Sequence, residues 1–146
     1  DVWQHVLIVR DNSNNITAFR NGASFGTSVS NSNTGTLDSI FRFNNTRYSS
    51  GNLDEVAVWN SDQSSNVASI YNSGTPTTIT GAVAHWKMGE EATFSTNWTV
   101  PDAVGSNNGT SANMTIEDRT GNASGSTLNA LSYNMTESDR EEDTPS

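Results

Sequence analysis

Carboxylates and histidines are the residues of this chain that could do acid–base chemistry, and their spacing argues against catalysis. Hydrolysis of a glycosidic bond needs two carboxyl groups that flank the same bond. Asp54 and Glu55 are adjacent in a strand-like segment, so they point to opposite faces of a sheet and cannot form such a pair. The two histidines, His5 and His85, each lie near a tryptophan, without a recognisable serine or cysteine nucleophile motif. We therefore expect a non-enzymatic protein.

Aromatic side chains form the second chemically interesting group, because an aromatic face can stack on a sugar ring. Trp3, Trp59 and Trp86 lie in apolar strand-like segments, where a role in the core is expected. Trp98 lies in a polar stretch, where it could either contact a ligand or pack that stretch down. The candidate glycan-contact residues are Trp98, Tyr48, Asn44 and Asn45.

Sequons of the form Asn-x-Ser/Thr occur seven times, close to the number that the abundance of these residues produces by chance. They matter only in a protein secreted by a host that glycosylates. The candidate sites are Asn15, Asn44, Asn97, Asn108, Asn113, Asn122 and Asn134.

Composition excludes several classes of partner. The formal net charge of −9 and the pI near 4.3 argue against nucleic acid and against an anionic membrane surface. Apolar runs are too short for a membrane-spanning helix, so no membrane insertion is expected. Without cysteine there are no disulfides and no thiolate metal sites. Leu, Ile, Val and Phe are concentrated before Lys87, so the polar region after it needs a surface to pack on.

The elements that must position these residues are predicted to be strands. Alternating apolar residues predict a strand over 2–10, and Asn21-Gly22 predicts a tight hairpin after a strand over 16–20. A short helix beginning near Ser64, with Val67, Ile70 and Tyr71 on one face, ends at Ser73-Gly74. Further strands are predicted over 23–29, 38–43, 52–60 and 82–88.

This pattern predicts an all-β protein with three parts. Residues 1–74 form a sandwich, 75–81 a linker, and 82–146 one strand followed by an extended polar region. That region contains a repeat shifted by 21 residues, in which 113–119 recurs as 134–140. The residues predicted to be buried between two antiparallel sheets are Trp3, Val6, Ile8, Phe19, Phe41, Val56, Val58 and Trp59.

Residues 3–74 resemble the second half of a laminin-G-like, concanavalin-type jelly-roll domain, the broad family that includes pentraxins. Four stretches carry the resemblance, namely Trp3–Val6 with Arg10–Asp11, Ile16–Gly22, Gly51–Asn60 and Ile70–Gly74. Val83–Glu90 and Asp102–Thr110 look like the opening strands of another such domain. The resemblance implies an antiparallel jelly-roll sandwich whose early strands would precede Trp3. The stretch 82–146 also looks like the tails of virion proteins from environmental tailed phages.

The same resemblance implies the one cofactor considered, which is calcium bound by loop oxygens. Related domains place acidic and amide groups in the loop that corresponds to the one after 38–43. This chain has neutral amides there, and hard Ca²⁺ favours charged oxygen ligands, so the expectation is no cofactor, with calcium as the alternative. The ligands of that alternative site are Asp38, Asn44, Asn45 and Asp102.

Two functions from different classes follow. The first is a structural subunit of an extracellular or virion assembly, in which copies of the chain form a homo-oligomer or filament by strand donation and tail packing. The second is a lectin-like module that binds cell-surface glycans. Residues 82–88 are the expected donor strand, and the expected assembly residues are Val83, His85, Trp86, Met88, Met114 and Met135.

Overall fold

The computed structural model describes residues 2–40, 42–43, 47–48, 51–75, 79–89 and 91–118. The secondary structure of these residues consists mainly of short antiparallel strands, with one short α-helix. The prediction of an all-β protein with one short helix is therefore confirmed in this coarse form. Within the described ranges, no helix is both long and apolar enough to cross a lipid bilayer.

The chain divides into two compact units that are interleaved along the sequence. The first unit comprises Asp1–Gly51 and Trp59–Ala82, and the second comprises Asn52–Val58 and Val83–Ser146. The strand predicted over 52–60 is thus divided after Val58. Its first part belongs with the second unit because Val56–Val58 pairs with Ala84–Trp86.

The first unit is built on a three-stranded antiparallel sheet. Strands β1 to β3 lie in the order of the sequence, and a shorter pair, β4 and β5, follows. Of the predicted strand over 38–43, residues 38–40 are not in a strand and the last two residues form β4. The bounds are Val6–Arg10 for β1, Asn15–Arg20 for β2, Ala23–Ser30 for β3, Arg42–Phe43 for β4 and Arg47–Tyr48 for β5.

The predicted hairpin at Asn21-Gly22 is confirmed. Asn21 has φ of 50° and Gly22 has φ of 79°, and two successive positive φ values characterise the tight turn that Asn-Gly favours. Gly22 is needed for a second reason, because a Cβ there would lie 2.7 Å from Cδ1 of Tyr71.

The helix α1 spans Val67–Tyr71 between two 3₁₀ turns, Ser64–Asn66 and Asn72–Gly74. Ser64 does not cap it as predicted. Instead, the backbone N–H of Ser64 donates to a carboxylate oxygen of Asp62, at 2.9 Å. The helix ends at Asn72, which adopts the left-handed conformation and donates its N–H to the carbonyl of Ala68.

The core of the first unit lies on one side of the sheet. Leu7 and Val9 are only 8 % and 4 % exposed, and they pack with Val67 of α1. Phe19, Trp59 and Ile70 cover this cluster and are half-buried.

Of the eight residues predicted to be buried, Trp3, Val6 and Ile8 are exposed instead, Ile8 by 68 %. The prediction is wrong for Val6 and Ile8 because neighbouring residues of a strand alternate between faces, and the helix covers the face of Leu7 and Val9. Phe19, Val56, Val58 and Trp59 are half-buried, and Phe41 lies outside the described residues.

The second unit contains a two-stranded and a three-stranded antiparallel sheet. In the larger sheet β9 is central, and in the smaller one β6 pairs with β7. Ala84 and Trp98 are its buried apolar residues within the described part. The bounds are Val56–Val58 for β6, Ala84–Trp86 for β7, Thr93–Phe94 for β8, Trp98–Val100 for β9 and Gly109–Thr110 for β10, with a 3₁₀ turn at Ile116–Asp118.

Candidate functional site

The most distinctive surface of the first unit is the side of the β1–β2–β3 sheet that α1 does not cover, which we call the open sheet face. Residues paired directly across an antiparallel sheet project on the same face. Three such rows cross the three strands. They are Val6–Arg20–Ala23, Ile8–Ala18–Phe25 and Arg10–Ile16–Val29.

Seven of the nine positions of the open sheet face are apolar, and its large side chains are in solvent. Val6, Ile8, Phe25 and Val29 are between 58 % and 68 % exposed. Single exposed apolar residues are ordinary, whereas a contiguous exposed group marks an interaction surface. The other side of the same sheet carries the core, so this sheet has one buried and one uncovered apolar face.

Both charged positions of the open sheet face are arginines. The Arg20 guanidinium lies over the Phe25 ring, 4.9 Å from its centroid, and Arg10 donates a hydrogen bond to the carbonyl of Asn33 at 2.8 Å. Among the described residues, no carboxylate lies within ion-pair distance of either arginine.

The outer edge of the sheet at β1 is also unpaired. The N–H of Asn21 donates to the carbonyl of His5, and the N–H of Asp11 donates to the carbonyl of Asn15. Since hydrogen-bonded pairs alternate along an antiparallel ladder, the backbone groups of Val6, Ile8 and Arg10 point away from β2. Within the described part of the chain, no backbone hydrogen bond reaches them.

An open cleft of about 630 Å³ runs beside this edge, between Leu7–Asn12 and Trp59–Gln63. Two of its lining residues are joined, because the N–H of Asn12 donates to the Asp62 carboxylate at 3.1 Å. The first unit thus presents an uncovered apolar face, an unpaired strand edge and a polar cleft beside it.

In the second unit, the buried carboxylate of Asp102 organises the loop that joins β9 and β10. Its Oδ1 accepts the N–H of His85 at 2.9 Å and that of Val104 at 3.2 Å. Its Oδ2 accepts both the backbone and the side-chain N–H of Asn107. These bonds, led by the one from His85, hold the pKa of Asp102 well below its usual value of 3.8.

This arrangement fills the acceptor positions that a cation would need. A carboxylate offers about four lone-pair sites, and N–H donors occupy those of Asp102. Asp102 therefore has a structural role in this loop, and its place in the alternative calcium site stays a prediction. Gly105 permits the loop, because a Cβ there would lie 2.6 Å from Oδ2 of Asp102.

The other predicted calcium ligands do not complete a site within the described residues. Asp38 is exposed and accepts the hydroxyl proton of Ser39, while Asn44 and Asn45 lie outside those residues. No group of three His, Cys, Asp or Glu that could hold a metal occurs in the described part of the chain.

His85 and Glu55 form the closest polar contact between β6 and β7. Nε2 of His85 lies 2.6 Å from a carboxylate oxygen of Glu55, and the imidazole is buried. His85 pairs with Ala57 across the two strands, so the contact reaches just beyond the paired residues. The pair ties the start of β6 to β7, and this was not predicted because thirty residues separate the two in sequence.

Trp98, the leading candidate for a glycan contact, is buried. Its indole N–H donates to the carbonyl of Thr115 at 2.7 Å, and its ring packs at a tilt against Phe94 with centroids 5.2 Å apart. The ring face is therefore used for packing, and this part of the glycan-contact prediction is wrong. Asn44 and Asn45 lie outside the described residues, as does the side chain of Tyr48 in β5.

The predicted sequons have different environments. The side-chain amide of Asn15 donates to the Asp11 carboxylate and is half-buried, so it is engaged in the turn before β2. Asn97, Asn108 and Asn113 are exposed. The remaining candidates, Asn44, Asn122 and Asn134, lie outside the described residues.

The predicted assembly residues are also divided. β7 pairs with β6 of its own chain, and its His85 carbonyl also accepts the N–H of Ala103, so the expected donor strand is engaged internally. Val83 and Met114 are exposed, Trp86 and Met88 are half-buried, His85 is buried, and Met135 lies outside the described residues.

No protein-family model, curated protein sequence or solved structure matches the chain.

Proposed function

We propose that the chain is a non-enzymatic structural subunit of an extracellular or virion assembly, in which copies of the chain pack on one another. The observation that carries this proposal is the open sheet face, with four large apolar side chains exposed on one side of a three-stranded sheet. The laminin-G-like jelly roll inferred from the sequence belongs to the same proposal, and neither requires a cofactor.

The physical argument is that a sheet with apolar residues on both faces is stable in water when both faces are covered. α1 and Trp59 cover one face, while nothing in the described part of the first unit covers the other. The unpaired edge of β1 adds backbone donors and acceptors beside that face, and unpaired edges are the usual sites of strand addition.

The test is the oligomeric state of the full chain as a function of concentration, measured by sedimentation velocity. We expect self-association in the wild type and its loss in the double variant I8T/F25T, which places β-branched threonine at both strand positions but removes the apolar surface. Leu37 is 55 % exposed outside the sheet, so L37T is the matched control and should associate like the wild type. A wild type that stays monomeric at every concentration would contradict the proposal.

Glycan binding remains the second candidate function, and the cleft beside β1 is the observation that favours it. Trp59 lines this cleft together with the amides of Asn12, Asn14 and Asn60, and clefts of this volume fit small ligands. Binding on a glycan array that is lost in the double variant N12A/N60A, but kept in F25T, whose residue does not line the cleft, would support this function. Absence of binding to any glycan would reject it.

A further inference from the structure

We propose that the open sheet face binds the segment Asn113–Asp118 of another copy, so that copies of the chain join head to tail. This inference rests on the proposed assembly function and adds the partner surface to it. Both surfaces expose apolar side chains, and they are opposite in charge.

The open sheet face is cationic in a strongly acidic chain. Arg10 and Arg20 are its two charged residues, although the whole chain has 7 Lys and Arg against 16 Asp and Glu. Both arginines are exposed and lack a carboxylate partner among the described residues. A partner surface for this face should therefore combine apolar side chains with carboxylates.

The segment Asn113–Asp118 has this composition. Met114 is 42 % exposed and Ile116 is 57 % exposed, and they are followed by the acidic residues Glu117 and Asp118. Alternate positions of the segment thus present apolar side chains, and its end carries negative charge.

The segment is also held in place, which lowers the entropic cost of binding. The Thr115 carbonyl accepts the indole N–H of the buried Trp98, and the Thr115 N–H donates to the Asp118 carboxylate. Trp98 belongs to β9, so the segment is fixed to the larger sheet of the second unit.

Charge also decides between this contact and the packing of two open sheet faces on each other. Face-to-face packing would bring four arginines together without a carboxylate, whereas the head-to-tail contact pairs unlike charges. Because the two surfaces differ, a head-to-tail pair of copies still offers one free open sheet face and one free segment. Such contacts build a filament, or a ring if they close.

The decisive experiment mixes two variants that each lack one surface. Variant I8T/F25T lacks the open sheet face, and variant M114T/I116T lacks the segment. Each should be monomeric alone, and their mixture should form a heterodimer and nothing larger, because one complementary pair of surfaces remains. If M114T/I116T alone still dimerises, the open sheet face packs on itself and the inference is wrong.

A charge-reversal series tests the same contact without removing apolar surface. We expect E117R and R20E each to raise the dissociation constant about tenfold or more, and the double variant R20E/E117R to recover most of this loss. Glu91 is an exposed acidic residue of the second unit outside the segment, so E91R is the matched control and should leave association unchanged.

The outcomes separate the two proposals. A monomeric wild type rejects the assembly function itself. A wild type that associates, with E117R indistinguishable from E91R and no recovery in the double variant, rejects the head-to-tail contact alone. Circular dichroism of each variant, with an unchanged unfolding midpoint, confirms that lost association does not reflect lost folding.

Discussion

At the scale of single residues, the second unit depends on a carboxylate that binds backbone groups. Asp102 accepts hydrogen bonds from β7 and from its own loop, and the charge of the carboxylate strengthens each of them. Its neighbours were visible in the sequence as Asp-Ala-Val-Gly with two later asparagines, which resembles a family motif. The sequence could not show that N–H donors surround the carboxylate.

We expect D102N to lower the unfolding temperature, because an amide places an N–H₂ group where a carboxylate oxygen now accepts hydrogen bonds. D38N is the matched control, since Asp38 is exposed and its hydrogen bond is to the adjacent serine, and it should leave the midpoint unchanged. Differential scanning calorimetry measures both. Equal midpoints for the two variants would contradict the structural role of Asp102.

Acid should lower the stability of the second unit because it protonates Asp102. The folded state lowers the pKa of Asp102 from its usual value of 3.8, so the stabilisation is complete above that pH and declines as the pH falls below it. The wild type should therefore lose more stability than D102N between pH 5 and pH 3, as measured by urea unfolding. Parallel losses would show that other carboxylates dominate acid unfolding.

His5 makes the stability of the first unit depend on pH, in a range above the one in which Asp102 acts. Burial lowers its pKa from the usual value of 6.5, and its buried Nδ1 has no hydrogen-bond partner among the residues that the structure describes. The unfolded state then binds the proton more readily, so stability is complete above about pH 6.5 and declines below it. An NMR titration of the two histidines should give His5 a pKa below 6.5. The variant H5F should lose less free energy of unfolding than the wild type as the pH falls. A His5 pKa above 6.5 would contradict this.

At the scale of elements, the hairpin between β2 and β3 was predictable because Asn-Gly specifies a turn locally. The choice of the covered face of β1 was not predictable, since Val6, Leu7, Ile8 and Val9 are all apolar and their alternation carries no polarity signal. That choice depends on where α1 packs, which is a tertiary feature. β8 to β10 are two or three residues long, too short for a periodic pattern.

The assignment of faces in β1 predicts that substitutions at neighbouring residues differ strongly in their effect on stability. We expect L7A to reduce the free energy of unfolding by about 2–5 kcal/mol, because Leu7 is in the core. I8A should change it by less than about 0.5 kcal/mol at concentrations where the chain is monomeric, because Ile8 is mostly exposed. Urea unfolding of both variants decides the matter, and a larger effect for I8A would place the core on the other face.

Two glycines share the same backbone conformation but have different surroundings. Comparing them distinguishes the cost of backbone strain from the cost of a steric contact. Gly26 has φ of 80° and open space around its Cα, whereas Gly22 has φ of 79° and faces the Tyr71 ring. We expect G26A to reduce the free energy of unfolding by about 1–2 kcal/mol, because alanine is strained in the left-handed conformation. G22A should cost about 1–3 kcal/mol more, because the added methyl group meets Tyr71. Combining G22A with Y71A should reduce this excess, and equal costs for the two single variants would exclude the contact.

At the scale of the whole molecule, composition predicted a division near residue 82 but not the crossing of the two units in sequence. The residues after Lys87 are poorer in large apolar side chains, which is a visible change in composition. The membership of Asn52–Val58 in the second unit depends on the pairing of β6 with β7, and no local pattern records which strand is the partner.

Removal of residues 83–146 should therefore affect a segment far from the cut. The shortened chain keeps Leu7, Val9 and Val67 but loses β7, so β6 has no strand partner. Hydrogen exchange followed by mass spectrometry should show β1 and β2 still protected while the amides of Val56–Val58 exchange rapidly. Protection of Val56–Val58 in the shortened chain would contradict the assignment of this strand to the second unit.

The interleaving of the two units also limits how this protein can be rearranged by recombination. The segment Thr75–Gly81 resembles a domain boundary in the sequence. A crossover within it would nevertheless transfer β7 to the recipient protein and leave its partner strand β6 behind. An exchange that moves the second unit intact needs three junctions, which lie after Gly51, Val58 and Ala82. Chimeras made at Thr75–Gly81 alone should express poorly, and the addition of Asn52–Val58 from the donor should restore their yield.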